Sequence, residues 1–330
     1  MIRNRLLLAF AVITTFSASF SAGAAEQSSL RKIRVAITSI SGSMVPPWAA
    51  NEAGIFKKYG LQVEVIATPS GIQGTNALIA NEISFLQIAG STTTGAAVGG
   101  ADLKIVATMT ATLVLNLAVR PEIEKPEQLR GKSIGISRFG TSLHSGARLA
   151  AKHYGLEPGK DVHIVEIGAG DWIVGAMQGN RVQAGVFGYP ATGRAVKFGN
   201  RVMLHLPSLN IPYASTGVST RGDIIRDDPD LVRRYLSAQI EAIALMKKDR
   251  AAFDAALAKW LGIKDAATQD RMYRDVAEIP QKPYPSVDGI RHTFVLYDSP
   301  DMRKLKPEDF YDASIMTELD RSGFIESLYR

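Results

Sequence analysis

The chain has 330 residues, 46% of them hydrophobic, and carries 38 basic against 32 acidic side chains for a net charge of +6. It contains no cysteine, which excludes disulfide scaffolds, thiol catalysis and a lipid anchor on an N-terminal cysteine. The basic residues are scattered, and pairs such as Arg233-Arg234 and Lys247-Lys248 fall in helical patterns. The positive charge therefore reads as solvated helix faces rather than a nucleic-acid track.

Residues 1–25 open with Arg3 and Arg5, run apolar from Leu6 to Phe16 and end in the small residues Ser21-Ala22-Gly23-Ala24-Ala25. This is the pattern of a cleavable secretory signal peptide, and its apolar stretch is too short for a membrane span. The expected destination is the periplasm, because an untethered chain is retained only where an outer membrane closes the space.

A faint repeat follows. Strand pattern Ile33–Ile37, a helix ending at Tyr59-Gly60-Leu61, strand Val63–Ile66, a helix closing at Ala80-Asn81 and strand Ile83–Ile88 form the first copy. The second runs Ser133–Ile136, a helix ending at Tyr154-Gly155-Leu156, Val162–Val165, a helix closing at Gly179-Asn180 and Val182–Phe187. Short β-branched runs alternating with helical patterns predict βαβ units, hence a mainly parallel sheet in each copy. Gly60 and Gly155 are predicted helix stops in the left-handed conformation.

Between and after the copies, Leu113–Arg120 and Tyr213–Thr220 are extended runs that could cross from one lobe to the other. From Asp223 onward the pattern is helical, beginning with an amphipathic helix over Pro229–Lys248 capped by Asp228. The expected division is a first lobe over 26–115, a second over 116–214, and a return to the first lobe with C-terminal helices over 215–330.

The segment Pro47-Trp48-Ala49-Ala50-Asn51-Glu52-Ala53-Gly54-Ile55-Phe56-Lys57-Lys58-Tyr59-Gly60-Leu61 resembles the opening of the nitrate/sulfonate/taurine branch of ABC-transporter solute-binding proteins, which includes relatives that bind thiamine precursors. The likeness continues through Leu129–Ile136, Pro283–Ser286 and Gly323–Tyr329. It implies a type II periplasmic-binding-protein fold, two α/β lobes joined by a two-crossover hinge. It also implies a monomer that delivers a small-molecule ligand to an inner-membrane ABC permease with its cytoplasmic ATPase. A sensory accessory docking on a membrane receptor would share every one of these features.

In open α/β sheets ligands bind beyond the carboxyl ends of the strands. In the first lobe that rule selects Ser41, Gly42, Ser43 and Met44, then Ser70 and Gly71, then Gly90 and Ser91. In the second it selects Arg138, Gly140, Thr141 and Ser142, then Asp171, then Tyr189, with Tyr213 near a crossing. Serine, threonine and glycine at helix starts suit an anion, which gains from the helix termini. The same residue types are equally ordinary N-caps and turn residues. Arg138 is the expected anion fork, backed by the N–H groups of Gly140 to Ser142. Asp171 reads as a helix cap or as a contact for an amine, and His144 as a packing or capping residue. Trp48, Trp172, Tyr189 and Tyr213 could stack on a ligand, although the two tryptophans read first as core. No metal or cofactor is expected: the histidines at 144, 153, 163, 205 and 292 have no ligand spacing. No nucleophile elbow or phosphate loop is present either, so a binding protein is expected rather than an enzyme. The enzymatic relative of this fold, a thiamine-precursor synthase, carries a cysteine-rich motif that is missing here.

Overall fold

The computed structural model describes residues 30–38, 40–168, 170–189, 191–296 and 305–330. The signal-peptide reading, and Ser39, Ala169 and Pro190 of the candidate loops, lie outside the described residues. The strands are β1 (Arg31–Ile37), β2 (Leu61–Ala67), β3 (Phe85–Ile88), β4 (Leu103–Thr112) and β5 (Asn116–Val119), then β6 (Ser133–Ile136), β7 (His163–Glu166), β8 (Ala184–Phe187), β9 (Arg201–His205) and β10 (Pro212–Arg221). They form two five-stranded sheets, ordered β2-β1-β3-β10-β4 and β7-β6-β8-β5-β9. In each, the first three strands are parallel and the fourth runs antiparallel to both neighbours.

The repeat in the sequence is β1-β2-β3 against β6-β7-β8. Gly60 and Gly155 take φ of 70° and 68°, left-handed helix stops as their position demanded. Asn81 and Asn180 repeat the device at φ of 61° and 56° before β3 and β8; asparagine is among the few non-glycine residues that tolerate this region.

The crossings are shorter than the expected runs. The chain passes between the sheets at 113–115, and Asn116–Val119 is already β5. It passes back at 206–211, so Tyr213–Thr220 is not a linker but the body of β10, hydrogen-bonded in the first sheet between β3 and β4. An extended apolar run satisfies its backbone equally well as a linker in water or as a strand between partners, and the sequence does not say which.

The first lobe's core lies between its sheet and the helix Pro229–Lys248. Tyr235 of that helix stacks on Phe85 of β3 at 3.9 Å between ring centroids, and on Phe56 at 5.7 Å. The second lobe packs Leu117, Ile134 and Val186 against Ala147 and Ala150 of the helix Ser142–His153. Trp48 is buried, as its core reading required. Trp172 is not: it is 72% exposed, on the outer face of the helix Gly170–Gln178 and against Gly168.

Asp228 caps the helix Pro229–Lys248, accepting from the Leu231 N–H at 3.2 Å and pairing with Arg31 of β1. Asp228→Ala should cost about 1 kcal/mol of stability, whereas Asp228→Asn, an equally good cap, should lose only the weak surface pair. Urea unfolding midpoints that ranked the two variants equally would contradict this division.

Candidate functional site

The carboxyl ends of β1, β3, β6 and β8 open on one cleft between the lobes, a cavity of about 360 Å³. Its first wall is the turn after β1, with Thr38, Ile40, Ser41, Ser43 and Met44, together with Gly71, Ile88, Ala89 and Thr92. Its second is Ser137, Thr141, Ser142 and Leu143 with Gly188 and Tyr189. The hinge supplies the floor: Thr110 and Thr216 from strands β4 and β10, Ser215, and Val114 and Leu115 from the crossing. A larger open groove of about 540 Å³ lies where β1 and β2 begin. There Arg34 and Glu64 pair with each other at 3.0 Å.

Hydroxyls knit the first wall to the hinge. Ser41 and Ser43 lie 3.1 Å apart, Ser43 donates to Thr216 at 3.4 Å, and the Gln87 amide donates to the Ser43 carbonyl at 3.4 Å. A third component comes from the helix Ala266–Glu278, which brings Asp275 and Glu278 into the lining. Asp275 accepts from the Gly42 N–H at 3.0 Å. Burial pushes its carboxyl above the usual range, against the lowering by that N–H and by the charges of Arg271 and Arg274. One turn earlier, Arg271 reaches across the mouth and lays its guanidinium 3.8 Å from the centroid of the Tyr189 ring. That contact joins the two lobes.

Of the residues selected from the sequence, Ser41, Ser43, Met44, Gly71, Thr141, Ser142 and Tyr189 line the cleft. The others are engaged elsewhere. Gly42 is buried on Asp275. Ser70 caps the helix Gly71–Ile79, accepting from Gln73 N–H at 3.3 Å. Gly90 lies hard against Ala214 of β10. Tyr213 is 0% exposed; its hydroxyl donates to Ser145 at 2.8 Å and also meets Ser91, tying a first-lobe helix to a second-lobe one. Asp171 pairs with Arg194.

Arg138 is exposed and is not among the lining residues. Of the donors expected beside it, Gly140 N–H donates to His144 Nδ1 at 3.2 Å, while the neighbouring Phe139 N–H bonds to Glu166. His144, read as a packing or capping residue, does both: its ring is edge-on to Phe139 and its Nδ1 accepts the Gly140 N–H. Sequence reasoning missed Thr110, Leu115 and Thr216 of the hinge, and Asp275 with Glu278. The only signal for the last two was their i, i+3 spacing on a helix expected to return to the first lobe.

A family description, NMT1/THI5 like, matches residues 42–252, more than half of the chain. The chain belongs to the NMT1/THI5-like family. It is also similar to YtlA of Bacillus subtilis (strain 168), named provisionally as a binding protein, at 28% identity over 170 residues. That match covers 49% of this chain and spans only about half, 51%, of the curated relative. Among solved structures, the periplasmic nitrate-binding protein NrtA from Synechocystis PCC 6803 superposes with a TM-score of 0.68 at 14% identity, covering 91% of each chain. The periplasmic aliphatic sulphonate binding protein SsuA from Escherichia coli gives 0.66 at 19%, covering 83% of this chain and 94% of that one. A ligand binding component of an ABC-type import system from Staphylococcus aureus gives 0.69 at 13%, covering 87% and 98%. At these identities the likeness establishes the fold, and it is the periplasmic-binding-protein fold the sequence implied.

Two outcomes follow for this NMT1/THI5-like cleft. A Cβ at Gly42 would stand 1.8 Å from the Met272 carbonyl oxygen, so Gly42→Ala must push the helix Ala266–Glu278 off the wall. It should loosen that helix, read as faster hydrogen exchange over Ala266–Glu278, while the separately built second lobe keeps its protection. Unchanged exchange over that helix would refute the packing argument.

His144 has its basicity lowered from near 6.5 to about 4, first by burial and then by Arg148. Between those values the unfolded chain binds a proton that the folded chain does not. Its contribution is full above about pH 6.5 and lost as the pH falls toward 4. His144→Gln should flatten the stability profile over that window in urea titrations, and a parallel profile would count against it.

Proposed function

We propose that this chain is the solute-binding component of an ABC importer, capturing a small molecule between its lobes and presenting the closed form to a membrane permease served by an ATPase. One observation carries the reading. The cavity takes its walls from two separately built sheets, and among the described residues the chain joins them at 113–115 and 206–211. The volume of such a site depends on the angle between the lobes, so a ligand that touches both walls favours the closed arrangement by its differential affinity. Ser41, Ser43, Met44 and Gly71 are the proposed contacts from one side, and Thr141, Ser142 and Tyr189 from the other. Kinship with fold neighbours named for nitrate, sulphonate and import supports it.

The periplasm is the proposed compartment, from the leader-like pattern of residues 1–25. Among the described residues no helix is long and apolar enough to cross a membrane. The monomer is the proposed working state, and the cleft is proposed to bind without turnover.

Gentle denaturation of the purified protein, with mass spectrometry of what it releases, should yield a bound small molecule. Small-angle scattering should then give a smaller radius of gyration for the loaded protein than for the stripped one. No released molecule and superimposable scattering curves would overturn the proposal.

A further inference from the structure

Resting on this capture reading, we infer that the solute is a small organic cation, an ammonium, amidinium or protonated aza-aromatic with an apolar body, whose nitrogen end is held by Asp275 and Glu278. Among the described residues lining the cavity, the charged ones are these two carboxylates, with no lysine or arginine. They stand one helical turn apart on the helix Ala266–Glu278, a spacing that places both on one face. Asp275 is fixed by the Gly42 N–H at 3.0 Å, which leaves its second oxygen to accept from a guest. Arg271 and Arg274 act on Asp275 from the same helix without lining the cavity, and Arg271 lies across the mouth on the Tyr189 ring.

A second observation concerns the layer beneath the wall. Gln87 is 1% exposed and donates its amide to the carbonyl of Ser43, a lining residue, yet its Oε1 has no hydrogen-bond partner. An orphaned buried acceptor is costly and is relieved by a donor. This acceptor lies behind the Ser43 wall and is not itself a lining group of the cleft. Met44, Ile88, Leu115 and Leu143 supply apolar surface for the body of the ligand, and 360 Å³ suits a molecule of one or two rings. Burial holds the Asp275 carboxyl above its ordinary range, which a bound cation would reverse and a bound anion would worsen.

The test uses the full mature chain and three probes with the same body and different charge: benzamidine, benzoate and benzenesulfonate. Calorimetric titration should show benzamidine binding best, and Asp275→Asn should weaken it roughly ten- to a hundred-fold, the usual worth of one charge-assisted bond. Asparagine keeps an oxygen for the Gly42 N–H, so the wall remains in place; Glu278→Gln serves as a second, more exposed variant. The molecule released from the native protein should be cationic at neutral pH. An anionic native solute, tighter binding of either anion, or benzamidine affinity untouched by both variants would overturn the inference. A sulfonate that binds, compacts the lobes and is lost in Arg138→Ala would do so while leaving capture intact. No bound solute and no compaction would instead remove the capture reading itself.

Discussion

The fourth strand of each sheet is supplied across the hinge, and the rest of the molecule depends on this exchange. β5 enters the second sheet immediately after β4 leaves the first, and β10 enters the first sheet soon after β9 leaves the second. Each is hydrogen-bonded on both sides. Neither sheet is complete until the chain has crossed, so the crossings cannot shorten without pulling a central strand out of register. The cleft is the consequence. Two sheets held this close bring their strand carboxyl ends face to face, and the polar residues of the hinge strands, Thr110 and Thr216, become its floor.

The hinge is also fastened by side chains. The hydroxyl of Tyr213, buried at the start of β10, joins Ser145 of the second lobe to Ser91 of the first. At the mouth, Arg271 on Tyr189 makes a lighter contact between the same bodies. The two differ in kind. A buried, hydrogen-bonded tyrosine is lost only when the hinge itself comes apart, whereas a cation–π contact at an exposed mouth is worth about 0.5–1 kcal/mol and can break when the cleft opens. The lobes are thus pivoted at one end and only loosely latched at the other, the mechanical arrangement a capture site needs.

Much of this was legible in the residues. The repeated βαβ core could be read because its signals are local: β-branched runs of strand length, and glycines at 60 and 155 where a helix must stop. The long helix Pro229–Lys248 was legible through its cap and its apolar face. The crossings were not, because Tyr213–Thr220 looks the same whether it links two lobes or pairs between β3 and β4. Only partners more than a hundred positions away decide. The site divides along the same line. Ser41, Ser43, Thr141 and Tyr189 follow from the rule for strand ends, whereas Asp275 reaches the cleft through a contact with Gly42, 233 positions away. That contact exists because Gly42 has no Cβ to hold the helix off. Arg138 had the right place in the chain, but its exposed turn holds it out of the lining.

The electrostatic character of the cleft follows from which backbone groups the fold has already used. Helix starts and strand ends attract anions because their N–H groups lack partners. Here several of those groups are spent within the walls: Gly42 on Asp275, Gln73 on Ser70, Phe139 on Glu166 and Gly140 on His144. Each such bond stiffens a wall and withdraws a donor from a guest. Hydroxyls remain, but a serine or threonine can accept as readily as it donates. Of the loop residues that look like an anion cradle in the sequence, Gly42 and Gly140 have spent their N–H groups on the walls. The polarity of the site is left to the helix that closes over it, and that helix brings carboxylates.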